Sequence, residues 1–228
     1  MPQASARRGS ANRILARLSR ADIGLLKPHL APVDLPVSTQ LETANSRIAT
    51  VYFIERGFAS VVANGSGKRG IEVGIIGREG MTGLAVVLGH DRSPYETYIQ
   101  AAGSGQRISG ADLRKAMDQS VRLHRSLLHC AHAFLIQTAQ TALANGRSNM
   151  EARLARWLLM ADDRVDGGEV PLTHRLLAVM LGVHRPGVTK TVQSLERKGL
   201  IRAGRQVITI IDRNGLIKMS DGAYLPPD

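Results

Sequence analysis

Residues 173–200 read THRLLAVMLGVHRPGVTKTVQSLERKGL, and the rest of the chain is best understood outward from them. Two short helical patterns flank a glycine turn. Ala178, Gly182 and Val188 stand where a helix-turn-helix needs, in turn, a small residue between crossing helices, a residue free to take positive φ, and an apolar plug. The second helix is expected to begin near His184, and its Val188, Val192 and Leu195 recur at i, i+4 and i+7 as one buried stripe. Arg185, Thr189, Lys190 and Gln193 fall on the opposite side, where a helix laid in the DNA major groove presents donors to base edges and phosphates. Any one of them would suit the solvated face of an ordinary helical hairpin. Their combination favours a DNA-reading helix.

Charge supports an anionic partner. The chain has 228 residues, with 30 Lys and Arg against 19 Asp and Glu, a formal charge of +11. Through Asn145 the balance is 17 minus 10, or +7, and beyond it 13 minus 9, or +4, so the excess is spread over both halves. The local density peaks in 184–205, where Arg185, Lys190, Arg197, Lys198, Arg202 and Arg205 face one acid, Glu196. Phosphate is expected to dock there. The following LIRAGRQVITIID reads as two short strands around 203–205, a wing with a basic tip.

Upstream, the pattern changes twice. Residues 12–30 suggest short helices, ended by Pro28, Pro32 and Pro36. To about residue 109, β-branched and aromatic runs are broken by glycines, as in VYFIERG and IEVGIIGREG, with Asn64–Gly67 (NGSG) as a hairpin turn. A small barrel or jelly roll follows from that spacing. Residues 112–144 then contain no proline or glycine and read as a single long helix. Met117, Val121, His124, Leu128, Ala131, Leu135, Thr138 and Ala142 form a heptad seam that would pair helices across a homodimer, the alternative being one amphipathic helix packed on its own domain. Leu127 and Phe134 flank the seam. Asn145 to Ser148 mark a hinge, Asn149 or Ser148 caps the next helix with its stripe of Leu154, Trp157 and Leu158, and Thr173 caps the first helix of the opening motif.

Other chemistry finds little footing. One cysteine, Cys130, can form no internal disulfide and fits a reducing cytoplasm; Met1–Ser10 read as disordered, and no apolar run reaches the roughly 20 residues that span a bilayer. His124, His129, Cys130 and His132 cluster along the long helix, but Cys130 points about 100° away from His129, so structural histidines are favoured over a metal site. Neither a nucleophile and base set nor a phosphate-cradling loop has the spacing its chemistry needs, which ranks an enzyme well below a binding protein. No cofactor and no metal is expected.

The order of sheet domain, long helix, hinge and winged helix resembles the Crp/Fnr family of bacterial transcription regulators. The likeness rests chiefly on LLAVMLGVHRPGVTKTVQSLERKGLI and secondarily on VYFIERGFASVV. It implies an α+β chain: a cyclic-nucleotide-binding-like sensor domain over 1–111, a dimerisation helix over 112–145, and a winged helix-turn-helix over 146–228. It also implies a cytoplasmic homodimer on a double-stranded, two-fold symmetric operator, with RNA polymerase as a possible partner. Arg185 and Lys190 match basic contact positions, whereas Pro186 stands where many members carry Glu, so the operator should differ; His184, Thr189, Gln193, Lys198 and Arg205 complete the expected DNA-binding set. In the sensor, Met81, Thr82, Gly83 and Leu84 match the ligand cassette, with Met81 where the family's ribose-binding Glu stands, while Arg92 and Thr138 match phosphate- and base-contacting positions. Met81 cannot accept a ribose hydroxyl, so the resemblance points away from a cyclic nucleotide and leaves the effector open. The alternatives are a cyclic-nucleotide-responsive regulator and a nucleoid-type protein that binds DNA with little specificity.

Overall fold

The computed structural model describes residues 10–64, 70–172, 177, 181 and 185–227. Several expectations fall outside them: Met1–Gly9, the tip of the 64–67 turn, the Thr173 cap, Ala178, Gly182, His184, and the side chains of Arg185 and Pro186.

Two short helices, α1 (Arg13–Arg17) and α2 (Arg20–Leu26), come first. Asn12 is fully buried where α1 starts: its Oδ1 accepts from the N–H groups of Ile14 and Leu15, and its Nδ2 donates to Ile54 O and Gly80 O, both at 2.8 Å. One side chain thus caps a helix and ties it to the sheet. The strands are β1 (Ala31–Leu35), β2 (Gln40–Glu42), β3 (Thr50–Asn64), β4 (Gly70–Ile76) and β5 (Glu96–Ser109), with a short helix α3 (Leu84–Val87) between the last two. All described pairings are antiparallel, in the order β1-β5-β3-β4 with β2 also on β5. Pro32 lies within β1, which pairs on one side only, so its missing N–H is tolerated. Bulges near Arg56 bend β3 against β5, and Gly57 at φ +72° sits where a Cβ would come within 2.3 Å of Ala101 O.

The 112–144 helix is broken in two, correcting the expectation of one. The first piece, α4 (Gly110–Gln119), ends at Ser120 with φ −142° and ψ 102°, and α5 (Val121–Arg147) begins there. Ser120 Oγ accepts from Leu123 N and donates to the buried Asp22, so a hydroxyl competing for backbone donors interrupts the helix without glycine or proline. Met117 belongs to α4 and is buried against the sheet domain, so it leaves the seam. At the other end Asn145 and Gly146 are helical, and the break is confined to Ser148 and Asn149. Asn149 caps α6 (Met150–Asp162) by accepting from Ala152 N.

One face of α5 is claimed by the sheet domain. Leu123, Leu127, Cys130 and Phe134 pack inward, and Gln137 accepts from Ile75 N at 2.6 Å and donates to Ile75 O, covering the open edge of β4 as a strand would. Gly74 permits that approach, since a Cβ there would lie 2.7 Å from Gln137 Oε1. The other face is bare: Val121, Leu128 and Leu135 are 66%, 37% and 65% exposed, and Ala142 is exposed too. His124 and Thr138 turn partly inward, with His124 Nε2 2.9 Å from Val87 O.

The remaining elements are β6 (Glu169–Pro171), α7 (Arg185–Arg197), β7 (Ile201–Gly204), β8 (Val207–Ile210) and α8 (Arg213–Met219), with a second sheet in the order β6-β8-β7. Phe58, Ile75 and Ala101 of the first sheet join one apolar core with α6, α7 and the second sheet. Helix α6 is therefore buried almost all round. At this junction Trp157 Nε1 donates to Glu72 Oε1 and Ser60 Oγ to Glu72 Oε2, both at 2.5 Å, and Trp157 meets Phe58 edge-on at 6.3 Å. Arg164, 2% exposed, pairs with Glu79 at 2.7 Å, and Arg78 with Asp166.

Burial pushes the Glu72 carboxyl up to about 7, against the opposing hydrogen bonds from Ser60 and Trp157. A carboxyl held protonated in the folded state contributes stability that is fully present below its unfolded pKa near 4.5 and is lost as pH rises from there through about 7. The loss is on the order of 3 kcal/mol. In urea unfolding from pH 4 to 8, the stability of Glu72→Gln relative to the parent should therefore rise across that window and level off above it; a constant difference would show that Glu72 titrates normally.

Candidate nucleic-acid interface

Helix α7 divides as its sequence requires. Val188, Thr191, Val192 and Leu195 are buried against Leu154, Leu158, Leu177, Leu181 and the second sheet, and Thr191 Oγ1 donates back to Gly187 O. Gly187, Lys190, Gln193 and Arg197 are exposed, and Thr189 is half-buried. The surface of α7 thus carries long donors over an apolar stripe. After it, β7 and β8 form a hairpin whose turn holds Arg205 and Gln206, the latter at φ +62°. Arg202 and Arg205 are exposed on this wing.

Two acids hold helix and wing in place. Glu196 Oε1 accepts from Ala203 N at 2.9 Å, fixing the start of the wing to the end of α7. Glu151, on α6, accepts from Ser194 Oγ at 2.6 Å and from Lys198 Nζ. Lys198, first of its causes, holds the Glu151 carboxyl below the usual carboxylate range. Lys198, though exposed, is thus paired with Glu151 of its own domain, while Lys190, Gln193, Arg202 and Arg205 are exposed on the same surface. Arg153 Nη2 donates to Leu181 O, and Arg213 pairs with Asp162 and Asp163, so α6 organises the helices on both sides of it.

The match of residues 152–219 to the Crp-like helix-turn-helix domain covers this arrangement from α6 through α8. This domain is Crp-like. A curated relative, the HTH-type transcriptional regulator Cmr of Mycobacterium tuberculosis, is 40% identical over 83 residues, 36% of this chain and 32% of that protein. The chain thus matches about a third of its relative's length. Among solved structures, FixK2 from Bradyrhizobium japonicum superposes with a TM-score of 0.72 at 18% identity, over 83% of this chain and 96% of that one. The c-di-GMP responsive global regulator CLP of Xanthomonas campestris gives 0.67 at 16% identity, over 84% and 99%. The resemblance to Crp/Fnr regulators is borne out, by sequence in the Crp-like domain and by fold along the chain.

The sensor residues inferred from that resemblance are only partly brought together. Met81 and Thr82 are fully buried; Thr82 N–H donates to Tyr52 O at 2.9 Å, and Thr82 Oγ1 accepts from Tyr52 N at 3.0 Å. Gly83, at φ +72°, donates its N–H to Glu42 Oε1 at 2.6 Å, and Ser93 Oγ donates to Glu42 Oε2 at 2.6 Å. An internal carboxylate thus occupies the Gly83 N–H of the cassette. Arg92 is exposed and donates to Asn45 O, while Thr138 Oγ1 is buried with no hydrogen-bond partner among the described residues. Leu84 is half-buried at the start of α3. Of the histidine and cysteine cluster, Cys130 packs toward the sheet domain, its thiol pushed up to about 11 by burial, while His129 and His132 are exposed.

Sequence reasoning missed Glu42 beside the cassette and the junction residues Glu72, Glu79, Arg164 and Arg156, the last donating from α6 to Thr141 Oγ1 of α5. In β4, strict alternation puts Glu72 on the side away from Ile71, Val73 and Ile75, which reads as solvent-facing. The register shift between Val61 and Val62 instead brings Glu72 to the side of Ile75, which the Crp-like domain covers. An isolated acid in an otherwise apolar strand was the one signal available. Among the described residues, no helix is long and apolar enough to cross a membrane.

Proposed function

We propose that the protein is a sequence-specific, DNA-binding transcription regulator of the Crp/Fnr type, acting as a homodimer. The observation that carries this reading is α7, with its apolar stripe locked into the Crp-like domain and Lys190, Gln193 and Arg197 exposed beside a basic wing. Two such helices entering successive major grooves would read half-sites roughly 34 Å apart. The bare stripe of Val121, Leu128, Leu135 and Ala142 on α5 supports pairing of two chains. A DNA partner puts the protein in the cytoplasm, with RNA polymerase as the machinery it recruits or blocks, and no reaction is assigned to it.

The effector in this reading is not a cyclic nucleotide. Glu42 holds the Gly83 N–H and the neighbouring Ser93 hydroxyl, Met81 brings no ribose acceptor, and Arg92 is turned to Asn45. A cyclic-nucleotide response is the second reading, favoured by the buried Thr138 hydroxyl, which has no hydrogen-bond partner among the described residues. Titration with cyclic AMP and cyclic di-GMP separates the two.

Genome-wide footprinting followed by mobility shifts on the recovered site tests the main reading. Arg185→Ala should cost about 1–3 kcal/mol on the specific site and relax base preference, while Arg205→Ala should weaken specific and random DNA alike. Equal losses on both DNAs for Arg185→Ala would remove its base-reading role, and a specificity ratio near one for the parent would leave a nucleoid-type binder.

A further inference from the structure

A cavity of about 810 Å³ borders the cassette at Met81 and Leu84, but neither Arg92 nor Thr138 lines it. It runs along α5 from Ser126 to Gln140, about 21 Å of helix, between α1, β4, α6 and the tail at 225–227. Its volume suits a small molecule. Its wall combines aliphatic side chains, among them Ile76, Met81, Leu84, Ile136 and Met160, and a single aromatic, Phe134, with His129, His132, Gln137 and Gln140 of α5.

Its charge is one-sided. Arg13, Arg17, Arg156 and Arg164 line it against one acid, Glu79, so the formal balance is 4 minus 1, or +3. Arg164 already has Glu79. Arg156 is different: it is 6% exposed, and its hydrogen bonds go to the neutral acceptors Ala223 O, Thr141 Oγ1 and Gln137 O, with no carboxylate in ion-pair contact among the described residues. The acid acting on it through space is Glu72, itself driven toward neutrality by burial. A buried guanidinium without a counter-charge is costly unless something anionic completes it.

We propose that this cavity binds an aliphatic carboxylate, its head on Arg156 and its chain laid along α5 toward Met81 and Leu84. The length of the cavity and its aliphatic side chains select an extended chain, and the uncompensated guanidinium selects an acid over an alcohol. Such a ligand would touch the sheet domain and α6 of the Crp-like domain at once, adding to the junction at Trp157. The assignment deepens the regulator reading, and rests on it for the idea that binding is a signal, but binding itself is measurable without DNA.

The chain has one tryptophan, Trp157, adjacent in sequence to Arg156, which makes its fluorescence a local reporter. The full-length protein is titrated with decanoate below its micelle concentration by calorimetry and by Trp157 emission, with decanol and inorganic phosphate in parallel. One saturable site per chain is expected for decanoate, with at least about tenfold weaker binding for decanol and for phosphate. Arg156→Gln should weaken decanoate at least about tenfold, and Ala133→Trp, which fills the cavity from the exposed side of α5, should abolish its binding while far-ultraviolet circular dichroism stays that of the parent. Unsaturable uptake, equal affinity for decanol, phosphate as tight as decanoate, or undiminished binding by Ala133→Trp would each overturn the proposal. Mobility shifts on the footprinted site are run on the same samples: decanoate binding without specific DNA binding would leave the cavity standing and remove the regulator, and the converse would do the opposite.

Discussion

Leu128→Asp combined with Leu135→Asp is expected to yield a monomer and to cost about a thousandfold or more in operator affinity. Both side chains are exposed on α5, at 37% and 65%, so the charges should leave each chain folded while placing like charges across any helix pair. The loss on DNA follows from effective concentration: two linked reading heads bind far more tightly than one head that meets each half-site separately. Sedimentation velocity gives the mass and fluorescence anisotropy the affinity. An unchanged mass would move the dimer contact elsewhere, and an unchanged affinity at monomer mass would mean that one reading head suffices.

Trp157→Ala should be the most destabilising single substitution at the domain junction, by about 3–5 kcal/mol. It removes the indole packed edge-on against Phe58 and leaves the buried Glu72 carboxyl without its Trp157 donor. Trp157→Phe separates these parts, because it keeps most of the packing and loses the hydrogen bond, and should cost about 1–2 kcal/mol. Denaturant unfolding measures both. A cost below about 1 kcal/mol for Trp157→Ala would show that α6 does not rest on the sheet domain in solution.

These two substitutions fall on opposite sides of what could be read in advance. The alternation of Leu128 and Leu135 was visible as a heptad, because a helix turns with fixed period and its apolar residues announce a face. The stripe Val188, Val192 and Leu195 and the basic outer face of α7 were visible for the same reason. Ser120 was not, since serine is compatible with a helix interior and becomes a cap only when Asp22 and Leu123 are there to engage its hydroxyl. The cassette was legible as a resemblance, but not its occupation by Glu42, which lies 41 residues away from Gly83.

Local periodicity and turn chemistry by themselves therefore determined the order of elements, the reading helix with its wing, and the bare face of α5. Each depends on residues a few positions apart, whose relative directions are dictated by backbone geometry. The tertiary structure alone decided which charges are buried and where a ligand can enter. Glu72, Arg156 and Arg164 take their environments from elements distant in sequence, and a charged side chain becomes interior once a second domain is laid over it. Long-range packing sets desolvation, and desolvation is what turns an ordinary carboxyl or guanidinium into a candidate for function.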